Sequence, residues 1–385
     1  MKALRAKIVT EKGLVSGFLV LDGGKIADIT LEQPQCEVET YAHCYIVPGF
    51  IDLHIHGIHD HLVDDGPEAL AGMCRTLPKY GVTGFLPTVS PSPMGQDAAF
   101  LKTLAATSPE GTHILGFHLE GPFLALTGAF NKDAIGGGGA DRVRALIEAA
   151  KPYKAIFSVS PDVEGICDLI PIMAEGDTPV FMTHTAANVQ QAQAAIAAGA
   201  RHCTHFYDVF PCPPVSEPGV RPSGIVEAVL ADPRVSVDFI LDGVHVDPIA
   251  VKMAMVAKQG GPGKVCLITD ANVGAGFPPG TYTFGNMGDI VFDYPGAPAR
   301  STRDHTLAGS GLTLDVALRN AVKMLGVSIA EASRMLSYNP ACVLGVQDRK
   351  GLLAPGYDAD FVVLDSNLEV VSTWISGNEY YNNPK

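Results

Sequence analysis

The chain reads as an α/β protein: a (β/α)8 barrel carrying a small β-domain assembled from both chain termini. Two observations predict this. Between residues 48 and 345, eight short apolar runs recur, each followed by a stretch with helical periodicity. Residues 1–47 and 346–385 instead alternate apolar and polar positions between tight-turn signals. The length of 385 residues fits one barrel of about 250 residues plus an appendage.

In order, the N-terminal strands fall at 2–4, 17–21 and 25–29, with Asp22-Gly23-Gly24 as a turn. The barrel runs are 50–56, 84–88, 114–119, 155–159, 180–184, 201–205, 235–241 and 265–270, with helices such as 189–198 and 249–258 between them. The C-terminal strands fall at 351–353, 359–365 and 370–375, with Pro355-Gly356 as a turn. Strand-rich ends around a different middle predict that the two termini pair. Gly136 to Gly139 form a linker, a lid or an anion-cradling nest.

Hydrophobic residues make up 47% of the chain and charged residues 18%, enough apolar material for a large core. A formal net charge of −14 argues against non-specific nucleic-acid binding. No run reaches the roughly 18 apolar residues of a membrane helix, and the N-terminus lacks a signal-peptide pattern. The eight cysteines are scattered and form no C-x-x-C pair, which fits reduced thiols and a cytoplasmic location.

Catalytic groups of such barrels gather at the C-terminal ends of the strands. The first run ends in His54-Ile55-His56, whose i, i+2 spacing on a strand turns both imidazoles to one side. The third ends in His118-Leu119-Glu120, the fifth in Thr183-His184, the sixth in Thr204-His205 and the eighth in Thr269-Asp270. His54, His56, Glu120, His184, His205 and Asp270 are therefore expected at one barrel mouth, as ligands for one or two divalent ions. Nitrogen and carboxylate donors suit zinc or iron first, and also manganese or cobalt. His43, His59, His61, His113 and His202 are read as structural.

These segments resemble the N-acetylglucosamine-6-phosphate deacetylase branch of the amidohydrolase superfamily. The resemblance runs through 48–57 (PGFIDLHIHG), 118–123 (HLEGPF), 183–188 (THTAAN), Thr204-His205, 242–245 (DGVH), 267–271 (LITDA), 307–314 (LAGSGLTL) and 355–361 (PGYDADF). It implies a barrel inserted into a small β-sandwich, here residues 1–47 plus 346–385. It also implies a metal-dependent hydrolase acting on a small-molecule N-acetylated amino sugar, with N-acetylglucosamine 6-phosphate as the leading substrate and a homodimer as the precedent. By the same resemblance Glu120, His184 and His205 hold the principal ion, and His54 and His56 match members that hold a second ion. Asp270 carries the proton between water and the departing nitrogen, and His245 binds the sugar or polarises the carbonyl. No lysine stands where hydantoinase-like relatives bridge two ions, so Glu120 takes the bridging place.

The resemblance further implies substrate contacts at Ala129, Phe130, Asp208, Val209, Leu307, Ala308 and Gly309, and here the pattern departs. The Asn-Ala pair that touches phosphate in the family is Asp208-Val209, its phosphate-reaching arginine is Ser216, and its loop histidine is Phe130. Serine cannot reproduce the paired hydrogen bonds of a guanidinium on phosphate. Arg221 or Lys132 is the candidate replacement; otherwise the substrate is an unphosphorylated or different N-acyl compound. A cyclic-amide hydrolase or deaminase, and a barrel that only binds, are the competing readings.

Overall fold

The computed structural model describes residues 1–259 and 264–383. Eight parallel strands follow one another around the barrel: Phe50–Ile55, Val82–Val89, Phe117–Glu120, Ala155–Val159, Val180–Met182, Ala200–Cys203, Ser236–Ile240 and Val265–Ile268. A parallel bridge between Ile55 and Ala271 brings the last strand back to the first. Nearly every residue of these strands is buried, as expected where helices cover the outside and side chains fill the inside. The expected third run is split: His113–Ile114 pairs at the edge of the second strand, and Phe117–Glu120 forms the barrel strand proper.

Local sequence explains the helices. In Val189–Ala198, Asn188 accepts from the Gln191 N–H while the Gln191 side chain returns a bond to Asn188, and Gly199 ends the helix. Its buried residues are Ala192, Ala195 and Ile196, one face at helical spacing.

The termini form one sheet of seven strands, ordered Asn378–Asn382, Val370–Ile375, Phe361–Leu364, Glu37–Pro48, Lys2–Thr10, Gly13–Asp22 and Lys25–Thr30. Alternation divides its two faces. Ile8, Ile46 and Phe361 join a separate core with Leu4, Leu19 and Trp374, while their neighbours Val9, Val47 and Val362 belong to the barrel core. Trp374 stacks on Phe361 with ring centres 5.4 Å apart. All eight cysteines are free. Among the described residues no helix is long and apolar enough to cross a membrane.

One element was not expected. Between the eighth strand and the helix Leu314–Asn320, four antiparallel strands, Gly280–Phe284, Gly288–Phe292, Pro298–Ser301 and Leu307–Ser310, form a sheet with its own small core. It lies over the barrel mouth, and Phe284 and Leu307 reach the site below.

Candidate metal centre

Glu120, at the end of the third strand, is the hub of the site. Its Oε2 lies 3.1 Å from His54 Nε2 and 2.9 Å from His56 Nε2. Its Oε1 lies 3.2 Å from His184 Nε2 and 3.1 Å from His205 Nε2. One carboxylate thus presents one oxygen to each of two imidazole pairs. Asp270 joins the first pair, with Oδ1 3.3 Å from His54 Nε2 and 3.6 Å from His56 Nε2. The expected six residues come together, and every one is buried.

The donor set fits metal ions. The triplets His54, His56, Glu120 and Glu120, His184, His205 each converge their ligand atoms within 4.8 Å. His184 Nδ1 lies 3.0 Å from Leu126 O and His205 Nδ1 3.2 Å from Asp208 O, so each Nδ1–H donates to a carbonyl and each Nε2 faces Glu120, that of His205 also within 2.9 Å of Thr183 Oγ1. His54 Nδ1 lies 2.9 Å from Thr204 Oγ1.

Charge is concentrated here. Burial alone would raise the Glu120 carboxyl, but the His54 charge and the hydrogen bonds from His184, His205 and His54 hold it well below the ordinary value. Burial likewise lowers His205, yet the Glu120 hydrogen bond and charge outweigh it and bring the imidazole to about 10.

The backbone is strained where three of these residues leave the strands. His184 (φ 50°), His205 (φ 34°) and Asp270 (φ 46°) are left-handed, as are Tyr207 (φ 83°) and Val209 (φ 55°) in the loop after the sixth strand. A β-branched residue in that region is a genuine outlier, and such strain persists only where surrounding bonds over-determine it. Those bonds are visible. The Asp238 carboxylate accepts from the His205 N–H at 2.6 Å and from His202 Nε2 at 2.7 Å. The Ser310 N–H donates to Asp270 O at 2.8 Å, and Ser310 Oγ donates to Thr269 O at 2.6 Å. Asp52 accepts from Thr269 Oγ1 at 2.7 Å, and burial pushes its carboxyl up to about 7.

A cavity of about 330 Å³ opens over the centre, lined by His56, Glu120, His184, His205 and Asp270 together with Ala129, Phe130, Asp208, Val209, Leu307, Ala308 and Gly309. Gly128 and Gly309 have positive φ, and a Cβ at Gly128 would fall 2.5 Å from His184 Cε1. His245 is buried; its Nδ1 is 2.6 Å from Asp242 Oδ2 and its Nε2 has no hydrogen-bond partner among the described residues. Burial lowers His245, but the bond and charge of Asp242 more than compensate and leave it raised.

The phosphate end differs from expectation. Ser216 is exposed and does not line the cavity. Arg221 is also exposed, with its guanidinium 2.6 Å from Glu227, so it does not replace the missing arginine within this chain. Lys132 is exposed and outside the lining as well. The carbonyls of Gly136 and Gly137 are turned onto Arg142 rather than their N–H groups onto an anion. The residues that sequence reasoning missed are Asn272, Phe284 and Thr306 in the lining, and Asp242 behind His245. Asp242 stood in the DGVH motif, but only the fold shows it gripping His245.

Residues 45–380 match the amidohydrolase family. The chain belongs to the amidohydrolase family. It is 32% identical over 385 residues to the N-acetylglucosamine-6-phosphate deacetylase of Bacillus subtilis (strain 168), covering 96% of this chain and 94% of that one. It is 34% identical over 339 residues to the N-acetylgalactosamine-6-phosphate deacetylase of Escherichia coli O157:H7, covering 86% of each. The crystal structure of N-acetylglucosamine-6-phosphate deacetylase from Pasteurella multocida superposes with a TM-score of 0.88 at 26% identity, over 99% of this chain and 100% of that one. This amidohydrolase therefore resembles deacetylases of two epimeric amino-sugar phosphates in sequence, and the deacetylase of one of them in fold.

Proposed function

We propose that the chain is a metal-dependent deacetylase of N-acetylated amino sugars, with N-acetylglucosamine 6-phosphate as the leading substrate. The observation that carries this is Glu120, one oxygen toward each imidazole pair, beside Asp270 in a chain whose relatives are deacetylases. Glu120, His184 and His205 would hold one ion, zinc or iron, and His54, His56 and Glu120 a second. Such an ion, when bound, polarises an amide carbonyl and lowers the pKa of a coordinated water to about 7.

The protein's own groups do the rest. Asp270, left-handed and fixed by Ser310, takes a proton from the attacking water and returns it to the departing sugar nitrogen. His245, oriented by the Asp242 carboxylate at its Nδ1, turns its Nε2 to the substrate. Phe284, from the sheet between Gly280 and Ser310, and Phe130 add aromatic wall to the cavity in which the substrate would sit.

One observation favours a second reading, in which the sugar lacks the phosphate. Among the described lining residues no lysine or arginine appears, whereas Asp208 contributes a carboxylate. Acetate release by metal-loaded protein, with N-acetylglucosamine 6-phosphate and plain N-acetylglucosamine side by side, tests both. Preference for the phosphorylated sugar that is lost in Arg221→Ala means a second copy of the chain supplies the arginine, in a homodimer. Preference for the plain sugar favours the second reading, and acetate from neither sugar rejects amino-sugar deacetylation.

A further inference from the structure

Three of the four histidines around Glu120 have their second ring nitrogen anchored, on Thr204 Oγ1, Leu126 O and Asp208 O. His56 does not: its Nδ1 is buried and has no hydrogen-bond partner among the described residues. A buried polar atom left unpaired is costly, and each one in a folded protein asks for a cause.

The chain itself brings a carboxylate to that place. After His56 the short hairpin of Gly57–Ile58 and His61–Leu62 turns back, and the Val63 N–H donates to His56 O at 2.8 Å. The next residue is Asp64, whose Oδ1 accepts from the Ser90 N–H at 3.2 Å. Ser90 Oγ, on the residue whose N–H binds Asp64, is likewise buried and without a hydrogen-bond partner among the described residues. Asp64 and Ser90 line a cavity of about 540 Å³, which shares Phe130 and Phe284 with the cavity over the metal centre. His56 Nδ1 and Ser90 Oγ are the two groups left to satisfy, and one water between them and the Asp64 carboxylate would satisfy both.

We propose that Asp64 is a positioning residue of the metal centre, fixing the His56 ring through one water shared with Ser90. The inference rests on the metal site proposed above. The His56 Nδ1–H donates to the water, the water donates to Asp64, and Nε2 is thereby presented to the ion on the His54 side. The two halves of the centre then differ in kind. His184 and His205 are fixed by backbone carbonyls, which substitution cannot remove, whereas His56 depends on one side chain.

Zinc titration of metal-free protein by calorimetry tests this in the wild type, Asp64→Asn, Asp65→Asn, His56→Ala and the Asp64→Asn/His56→Ala double variant. Asp65 is the exposed neighbour lining the same cavity and serves as the control. The expected result is an ion bound about 10–100-fold more weakly in Asp64→Asn, the usual effect of losing an outer partner. The other ion, and Asp65→Asn, stay as in the wild type. Asp64→Asn adds no further loss in the His56→Ala background, which a general structural defect would not reproduce. Unchanged affinity in Asp64→Asn, or an equal loss with and without His56, overturns the proposal. Wild-type protein that binds no zinc overturns the metal reading along with it.

Discussion

Replacing Glu120 by glutamine changes one oxygen for an NH2 group and removes the charge at the centre of four imidazoles, 2.9 to 3.2 Å away. An amide nitrogen is no metal ligand, and a neutral amide oxygen is a weak one. Glu120 belongs to both donor triplets, so each site keeps only two imidazoles from its triplet. Losing an outer partner of a ligand already costs about 10–100-fold in affinity. Losing an inner, charged one should exceed that, on the order of 1,000-fold per ion. At about 1.4 kcal/mol per tenfold this is roughly 4 kcal/mol. The assay is metal per chain after gel filtration, with acetate release on the same samples. Glu120→Gln should retain far less than one ion per chain and lose at least ~1,000-fold in turnover. In the metal-free state the His205 imidazole should titrate well below its value of about 10, because the Glu120 contact that outweighs burial is gone. A variant that keeps wild-type metal content and a tenth or more of the activity would refute the reasoning.

Other expectations are as direct. Asp270→Asn should lower kcat by about 10²–10⁴-fold, the usual contribution of a positioned acid–base group, while zinc at Glu120, His184 and His205 is retained; loss of that zinc would contradict it. Gly128→Ala should weaken metal binding about tenfold or more, because its Cβ would press on His184 from a left-handed position; calorimetry with zinc reads the change. Asp358 gives an acid dependence with a definite sign. Burial would raise its carboxyl, but Lys25 and Lys350 lower it to about 2 from 3.8. It therefore adds stability above pH ~4 that is lost as the pH falls toward ~2, worth about 1 kcal/mol after solvent screening. Thermal midpoints between those pH values should fall less steeply in Asp358→Asn, and parallel profiles would exclude the effect.

The periodicity of the sequence located all eight barrel strands but ran several of them too far. The apolar runs were read through to His184, His205 and Asp270, whereas the strands end at Met182, Cys203 and Ile268. The cause is local: these three residues turn into the left-handed region, which breaks the ladder. No pattern of hydrophobicity encodes that turn. The sheet from Gly280 to Ser310 was missed because its first two strands are half-exposed and its last two, Pro298–Ser301 and Leu307–Ser310, carry no β-branched or aromatic residue. The cluster around Glu120 was legible because its members sit at strand ends; their supports were not. Asp238 and Asp52 look like ordinary polar interruptions of apolar runs, and only the closed barrel brings them under His205 and beside Thr269. Asp64 was invisible for the same reason, since its role depends on a hairpin that folds it back onto His56.

The most direct test of the account is to titrate metal-free protein with zinc while recording acetate release from N-acetylglucosamine and its 6-phosphate. Activity that rises with bound ion, disappears on chelation and returns on reloading is the predicted result. Full acetate release from metal-free protein, or stoichiometric zinc with no release from either sugar, would contradict it.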